Sequence, residues 1–387
     1  MPVPTERLQQ IKPYVFATLA EKKRARLATG ATIVDLSLGS PDQPTPQPIV
    51  DALVAAVQDR SRDGYPDFSG DVTFKRSFAA FLGRRFGATV DPMTQLVPTA
   101  GAKEALAQVI QTYCNAGDVV LITDVAYPVY ERAAMAVGAE TVALPVSADD
   151  GWWPDLGAVS AELRRRTKVL VLNFPNNPTG AVTTLARLAA AVEFARANDI
   201  LLVSDLAYSE LTFRGDPAPS VLQVPGALAT AIEIHSGSKN FSMAGLRVGM
   251  VVGNPEVCRA LNVCRSLVGY GAPTVIQLAA AKAFERAEEL SSLLRAGYRA
   301  RFEAAGTGFA DGGFPVELPA AAMYLWLPVP AGMTDWEATE LLLAREGIVL
   351  TPGSGFGAGG AGYLRMSMVA PPAVLEDAAR RAASLWR

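Results

Sequence analysis

Residues 119–124, 168–173, 200–205 and 231–235 are short strand-like runs rich in Val, Leu and Ile, and each stops at or just before a polar side chain: Asp124, Asn173, Asp205 and Ser236. Stretches with helical spacing lie between them, and an amphipathic one built on Ile49, Val50, Leu53, Val54 and Val57 precedes them. Alternation of this kind predicts a doubly wound α/β fold with a mainly parallel sheet. In such a sheet ligands gather at the carboxyl ends of the strands, so the polar residues that end the runs are expected in one place. Past a helical pattern at 279–301, shorter strand and helix signals predict a smaller α+β unit. The expected division is an N-terminal arm at 1–48 joining the small unit, a large unit at 49–275 and a small unit at 276–387.

The run at 231–235 leads into Ser236-Gly-Ser-Lys239, and Arg247 follows eight residues later. That pattern suits an amine condensing with a phosphorylated aldehyde, the chemistry of pyridoxal phosphate. Lys239 would bond the aldehyde, Arg247 would grip the phosphate with a planar fork, and Ser236 and Ser238 would add hydroxyl donors. The same residues also make a solvated turn, so the other runs decide. Asp205, with Tyr208 three residues on, can keep a pyridine nitrogen protonated while the tyrosine bonds the ring oxygen; Asp205 equally suits a helix cap. Asn173-Phe-Pro-Asn-Asn-Pro-Thr-Gly180 fixes a tight connection that can present the Asn177 amide to that oxygen. Gly101, Ala102 and Lys103 open a helical pattern where small residues let a phosphate reach free N–H groups, although the spacing is not that of a Walker loop. Tyr127 is placed to stack on a flat ring or to pack in the core.

With Gly101-Ala-Lys-Glu104, Tyr127-Pro128, the 173–180 turn, Asp205-x-x-Tyr208, Ser236-x-Ser-Lys239, Arg247 and Arg365 in this order, the chain resembles the fold-type I pyridoxal-phosphate aminotransferases of class I/II, the aspartate aminotransferase superfamily, from about residue 14 onward. The resemblance implies a large domain with a mainly parallel seven-stranded sheet flanked by helices, plus a smaller α+β domain. It implies Lys239, Asp205 and Tyr208 as the catalytic set, with Lys239 the covalent anchor and Asp205 on the pyridine nitrogen. Tyr208 and Asn177 would hold the ring oxygen and Tyr127 would stack on the ring. Gly101, Ala102, Lys103, Ser236, Ser238 and Arg247 would surround the phosphate. Tyr65, before Pro66-Asp-Phe-Ser-Gly70, matches a tyrosine that reaches a neighbouring subunit's phosphate, which implies a homodimer with shared active sites. On the substrate side the resemblance places Arg365 on the α-carboxylate, with Gly39 and Asn177 close by; Tyr324 either faces the substrate or packs within a strand. The segments at 205–210, 219–226 and 351–357 are similar to the branch holding LL-diaminopimelate and alanine-type aminotransferases, from which Leu246 and Gly237 depart.

The implied activity is ping-pong transfer of an amino group between an L-amino acid and a 2-oxo acid. Glutamate and 2-oxoglutarate would form one pair, and a diaminopimelate-, alanine- or aspartate-type partner the other. The alternative on the same residues is a β-elimination lyase of the cystathionine β-lyase type, which would release pyruvate and ammonia with no acceptor.

Over 387 residues the net charge is -3, which offers no footprint for nucleic acid. The apolar run at 318–333 contains three prolines and reads as strand and loop, not as a membrane span. Cys114, Cys258 and Cys264 show no CxxC spacing and read as buried thiols; with no signal-peptide pattern at the N-terminus, a cytoplasmic protein is expected. One histidine, His235, excludes a multi-histidine metal site, and strand packing is its expected role. Gly355-Phe-Gly-Ala-Gly-Gly360 precedes a strand-like stretch instead of opening a helix, so it fails as a dinucleotide fingerprint.

Overall fold

The computed structural model describes residues 2–11, 14–267 and 269–386. Seven strands form the main sheet in the order Leu96–Thr99, Gly249–Val252, Ala231–Ser236, Leu201–Asp205, Thr167–Asn173, Val119–Thr123, Glu140–Leu144. Gly249–Val252 runs antiparallel to both of its neighbours, and the remaining pairs are parallel. Side chains alternate between the faces as a pleated strand requires: Val169, Val171 and Val203 enter one apolar cluster, while Leu170, Leu172 and Leu202 enter another. Both faces are covered, so Val119–Thr123 is buried along its whole length.

A phenylalanine cluster supports the sheet beneath Lys239. Phe78 is fully buried, 4.8 Å from Phe284, 5.8 Å from Phe81 and 5.1 Å from the His235 ring, centroid to centroid. Phe78→Ala should lower unfolding free energy by about 3–5 kcal/mol, measured by denaturant titration. A loss below about 1 kcal/mol would mean that the cluster is loosely packed.

The C-terminal part has its own core. The helices Ala287–Asp311 and Pro372–Leu385 contribute Tyr298, Phe309 and Ala379 to a cluster with Leu325, Leu327 and Leu364. These leucines lie on an antiparallel sheet ordered Thr351–Pro352, Tyr363–Ser367, Tyr324–Pro328. From the N-terminal side, Val34–Asp35 pairs in parallel with Ile348–Val349. The helical pattern at 279–301 is in fact two helices, Thr274–Glu285 and Ala287–Asp311, meeting at Arg286 (φ -110°, ψ 27°). The break lets Phe284 pack into the phenylalanine cluster and Leu294 into the C-terminal core.

Candidate active site

The strands at 167–173, 201–205 and 231–236 end side by side at a cleft of about 500 Å³. Ala231–Ser236 runs directly into a short helix, Gly237–Asn240, with the Ser236 hydroxyl accepting from the Ser238 N–H at 3.2 Å. This turn carries Lys239 into the cleft, where its amine donates to the Gly39 carbonyl. Burial, reinforced by the charges of Arg365 and Arg247, pushes the Lys239 amine down to about 7. A lysine held there is neutral in a large fraction of molecules near pH 7, where one with its ordinary pKa is almost fully charged, and the neutral amine can act as nucleophile and base.

Asp205 lies one strand away. Its Oδ2 accepts from the Tyr130 hydroxyl at 2.7 Å and its Oδ1 from the Ala207 N–H at 3.3 Å; Asn173 Nδ2 holds its backbone carbonyl at 2.8 Å. Burial pushes the carboxyl up to about 6, while Tyr130, Ala207 and His235 pull the other way. Because burial disfavours the bare carboxylate, a protonated ring nitrogen is a partner that would stabilise it. Tyr130→Phe removes the side-chain donor to this carboxylate. It should lower kcat/KM roughly tenfold and shift the acid limit of cofactor uptake to higher pH, since the carboxylate would form only above its raised pKa. An unchanged pH profile would contradict this placement of Tyr130.

One end of the cleft is built around the start of a helix. Gly101 caps the helix Ala102–Tyr113 with φ 92°, and a Cβ there would sit 2.5 Å from Arg247 Nη2. Glycine therefore serves this position twice, through its dihedral and through the space it leaves. Arg247 donates from Nη2 to the Ala100 carbonyl at 3.3 Å and from Nη1 to the Ser238 hydroxyl at 3.5 Å, which orients its guanidinium across the helix start. Ala102, Lys103, Ser236 and Ser238 line the same end of the cleft. Free N–H groups, the positive end of a helix and a planar fork make an anion cradle, and a phosphate fits it.

At the other end Arg365 is 2 % exposed. It donates to Asn177 Oδ1 at 2.9 Å and to the Ser37 carbonyl at 2.6 Å, and its Nε–H has no partner among the described residues. Tyr324 and Phe356 lie 4.3 and 4.7 Å from the guanidinium carbon, and among the described residues no carboxylate forms an ion pair with it. A buried cation that lines a cleft and has no acidic partner among the described residues is a receptor for an anion. By accepting from Arg365, the Asn177 oxygen leaves its NH₂ free to donate into the cleft. The Tyr208 and Tyr324 hydroxyls bond each other at 2.9 Å beside it.

The cleft thus brings together Gly39, Ala102, Lys103, Tyr127, Asn177, Asp205, Tyr208, Ser236, Ser238, Lys239, Arg247, Tyr324 and Arg365, with Gly101 immediately behind Arg247. Tyr65 is not among them: 84 % exposed, it stacks on Tyr270 at 4.7 Å outside the cleft. Sequence reasoning missed Tyr14 and Phe16, which line the cleft from the start of the helix Val15–Ala28, and Tyr130, one helical turn after Tyr127. The aromatic spacing in Tyr127-Pro-Val-Tyr130 was the available signal for Tyr130. His235 packs among phenylalanines as expected, but it also bonds Glu233 at 2.7 Å. As expected of the glycine-rich segment, the turns at 353–360 lead into the strand Tyr363–Ser367 and open no α-helix.

The family model for aminotransferase class I and II matches residues 31–381. The chain is 38% identical over 377 residues to LL-diaminopimelate aminotransferase 2 of Nostoc sp. (strain PCC 7120), covering 97% of each. It is 36% identical over 375 residues to LL-diaminopimelate aminotransferase of Moorella thermoacetica, covering 97% of this chain and 96% of the relative. Among solved structures, substrate-bound BacF from Bacillus subtilis superposes with a TM-score of 0.95 at 32% identity, covering 100% of this chain and 98% of that one. A single mutant of Thermus thermophilus aspartate aminotransferase superposes with a TM-score of 0.91 at 27% identity over 100% of both chains. An amine, a phosphate cradle and an anion receptor in one cleft agree with these matches, and the chain belongs to the class I and II aminotransferases, pyridoxal-phosphate-dependent transaminases of fold type I.

Proposed function

We propose that this transaminase works by a ping-pong cycle in which Lys239, Asp205 and Tyr208 are catalytic and Arg365 receives the α-carboxylate of an L-amino acid and then of a 2-oxo acid. The observation that carries this reading is Arg365, a buried cation with a spare N–H and no acidic partner among the described residues, in the same cleft as a lysine whose amine is pushed down to about 7. When bound, the cofactor supplies an aldehyde for the amine and a ring that accepts the electron pair of the bond broken at the substrate α-carbon. Arg365 fixes the carboxylate, and with it the direction of the α-C–H bond. Lys239 Nζ, uncharged above about pH 7, takes the α-proton and delivers it one position away. Asp205 holds a proton on the ring nitrogen, and the Asn177 amide and Tyr208 hydroxyl hold the ring oxygen. Tyr127 lies against the ring, and Gly101, Ala102, Lys103, Ser236, Ser238 and Arg247 hold the phosphate.

Glutamate and 2-oxoglutarate are the first pair to test. LL-diaminopimelate, named in the relatives, stands beside alanine and aspartate for the other half. Stopped-flow absorbance with a panel of L-amino acids tests the cycle. The band of the lysine-bound cofactor should disappear with a true donor and return with 2-oxoglutarate. A donor that instead yields pyruvate and ammonia without an acceptor would replace this reading with elimination.

The exposed stack of Tyr65, Phe68 and Tyr270 supports a homodimer in which Tyr65 reaches the second copy's phosphate. Light scattering should give the mass of two chains, and a monomer would refute it. We also propose a large domain at 49–275 and a small domain at 276–387 joined by the 1–48 arm. The arm's pairing of Val34–Asp35 with Ile348–Val349 supports its place with the small domain, while the packing of Ala279–Leu290 with Phe74, Phe78 and Phe81 argues for a boundary nearer residue 290. A stable fragment spanning 49–275 would support the earlier boundary, and one that folds only when extended through 290 would move it. No described helix is long and apolar enough to cross a membrane. Cytoplasmic localisation is part of the same proposal, checked by cell fractionation.

A further inference from the structure

We propose that Arg301 is a positioning residue for the substrate carboxylate, acting through Asp42 on the strap at 38–45 and through Met368, the residue after the strand that carries Arg365. Arg301 lies on the helix Ala287–Asp311, 7% exposed and outside the cleft lining. Its guanidinium makes a two-point fork with Asp42, Nη1 to Oδ1 at 2.6 Å and Nη2 to Oδ2 at 2.9 Å. Nη1 also donates to the Met368 carbonyl at 2.8 Å. One side chain therefore holds two segments at once. Asp42 is three residues beyond Gly39, and Met368 is three residues beyond Arg365.

The strap needs such a clamp. Among the described residues, 38–45 make no backbone–backbone hydrogen bond, so the segment is held from outside. At its ends Ser37 accepts from Arg365 and from Thr351 Oγ1, and Thr45 Oγ1 donates to the Ser242 carbonyl at 2.8 Å. Gly39 accepts from Lys239, and its Cα is so close to the Tyr324 hydroxyl that a Cβ would sit 2.2 Å from it. In the middle, Gln43 rests against Gly297 one turn before Arg301, and the Asp42–Arg301 fork closes the contact. Of the strap's hydrogen-bonded anchors, the fork is the charged, two-point one, which makes it the most directional. Loosening it frees the Ser37 carbonyl that aims Arg365, whereas Lys239, once bonded to the cofactor, no longer depends on the Gly39 carbonyl. A misplacement of about 1 Å in such a constellation is enough to weaken substrate binding.

This rests on the reading that Arg365 receives the α-carboxylate, so Arg365→Met is measured in parallel. Arg301→Met and Asp42→Asn, assayed as holoenzymes with the best amino-acid donor, should each raise KM about tenfold, with kcat and cofactor affinity within about twofold of wild type. Arg301→Lys, which keeps the charge but loses the fork, should fall between. The double variant should be no worse than either single one, because both changes break the same contact. A KM unchanged in the folded variants overturns the proposal. So does a KM, kcat and cofactor affinity that worsen together, which would mean a clamp that serves only the fold. If Arg301→Met does not fold, Asp42→Asn decides by the same criterion. If Arg365→Met leaves KM untouched, the carboxylate reading itself has failed; if Arg365→Met raises KM and the clamp variants do not, only the clamp has.

Discussion

Lys239→Ala should lower the transamination rate by roughly 10,000-fold, because one substitution removes both the covalent anchor and the proton-transferring amine. Cofactor should still bind through the cradle of Gly101, Ser238 and Arg247, but without the absorbance band of a lysine-bound aldehyde. Stability should move the other way. An amine whose pKa falls to about 7 on folding binds fewer protons folded than unfolded between pH 7 and its ordinary range. The cofactor-free wild type is therefore penalised most at and below pH 7, and the penalty fades as pH rises. Cofactor-free Lys239→Ala should melt above wild type near pH 6, with the gap closing toward pH 10. Thermal melts across that range check the sign, and a gap that widens with pH would mean that the amine is not buried as described.

Arg365→Met should cost about 1,000-fold in kcat/KM, mostly through KM, equivalent to about 4 kcal/mol of lost carboxylate recognition. The cofactor band should remain, since the phosphate cradle and Lys239 are untouched. The cofactor-free protein should not lose stability in proportion. Burial pulls the Arg365 pKa down and no described carboxylate pairs with it, so the guanidinium is a cost to the empty fold that a bound anion offsets. Asn177 would lose the donor that orients its amide, and a smaller loss in kcat follows from that. Steady-state kinetics beside a melting curve separate these effects. A variant that melts many degrees lower with KM unchanged would make Arg365 a structural residue.

Much of the site was legible because it sits where strands stop. Asn173, Asp205 and Ser236 end apolar runs, and parallel pairing brings those ends together whatever the loops do. Gly101 was legible because small residues open a helical pattern there, and the structure adds a reason the sequence could not show: a φ of 92° that favours glycine. Tyr14 and Phe16 were not, since they reach the cleft only when the helix Val15–Ala28 packs against the C-terminal part, where Val15 and Leu19 share a small core with Leu343 and Val349. Nothing local to residues 14–16 encodes that docking. Arg301 and Asp42 are 259 positions apart, and no spacing rule connects them. The 279–301 pattern read as one helix because both cores take apolar residues at the same period; the turn at Arg286 exists because those cores are different places. The role proposed for Tyr65 depends on a second copy of the chain, so it came from the family resemblance and not from any pattern local to residue 65.

The most direct test of the central claim is to load the protein with pyridoxal phosphate, reduce the lysine–cofactor bond with borohydride and map the modified peptide by mass spectrometry. One modified lysine, Lys239, is the predicted result, with labelling that rises through about pH 7 as the amine loses its proton. Labelling at Lys103 or at scattered surface lysines, with Lys239 unmodified, would contradict the account.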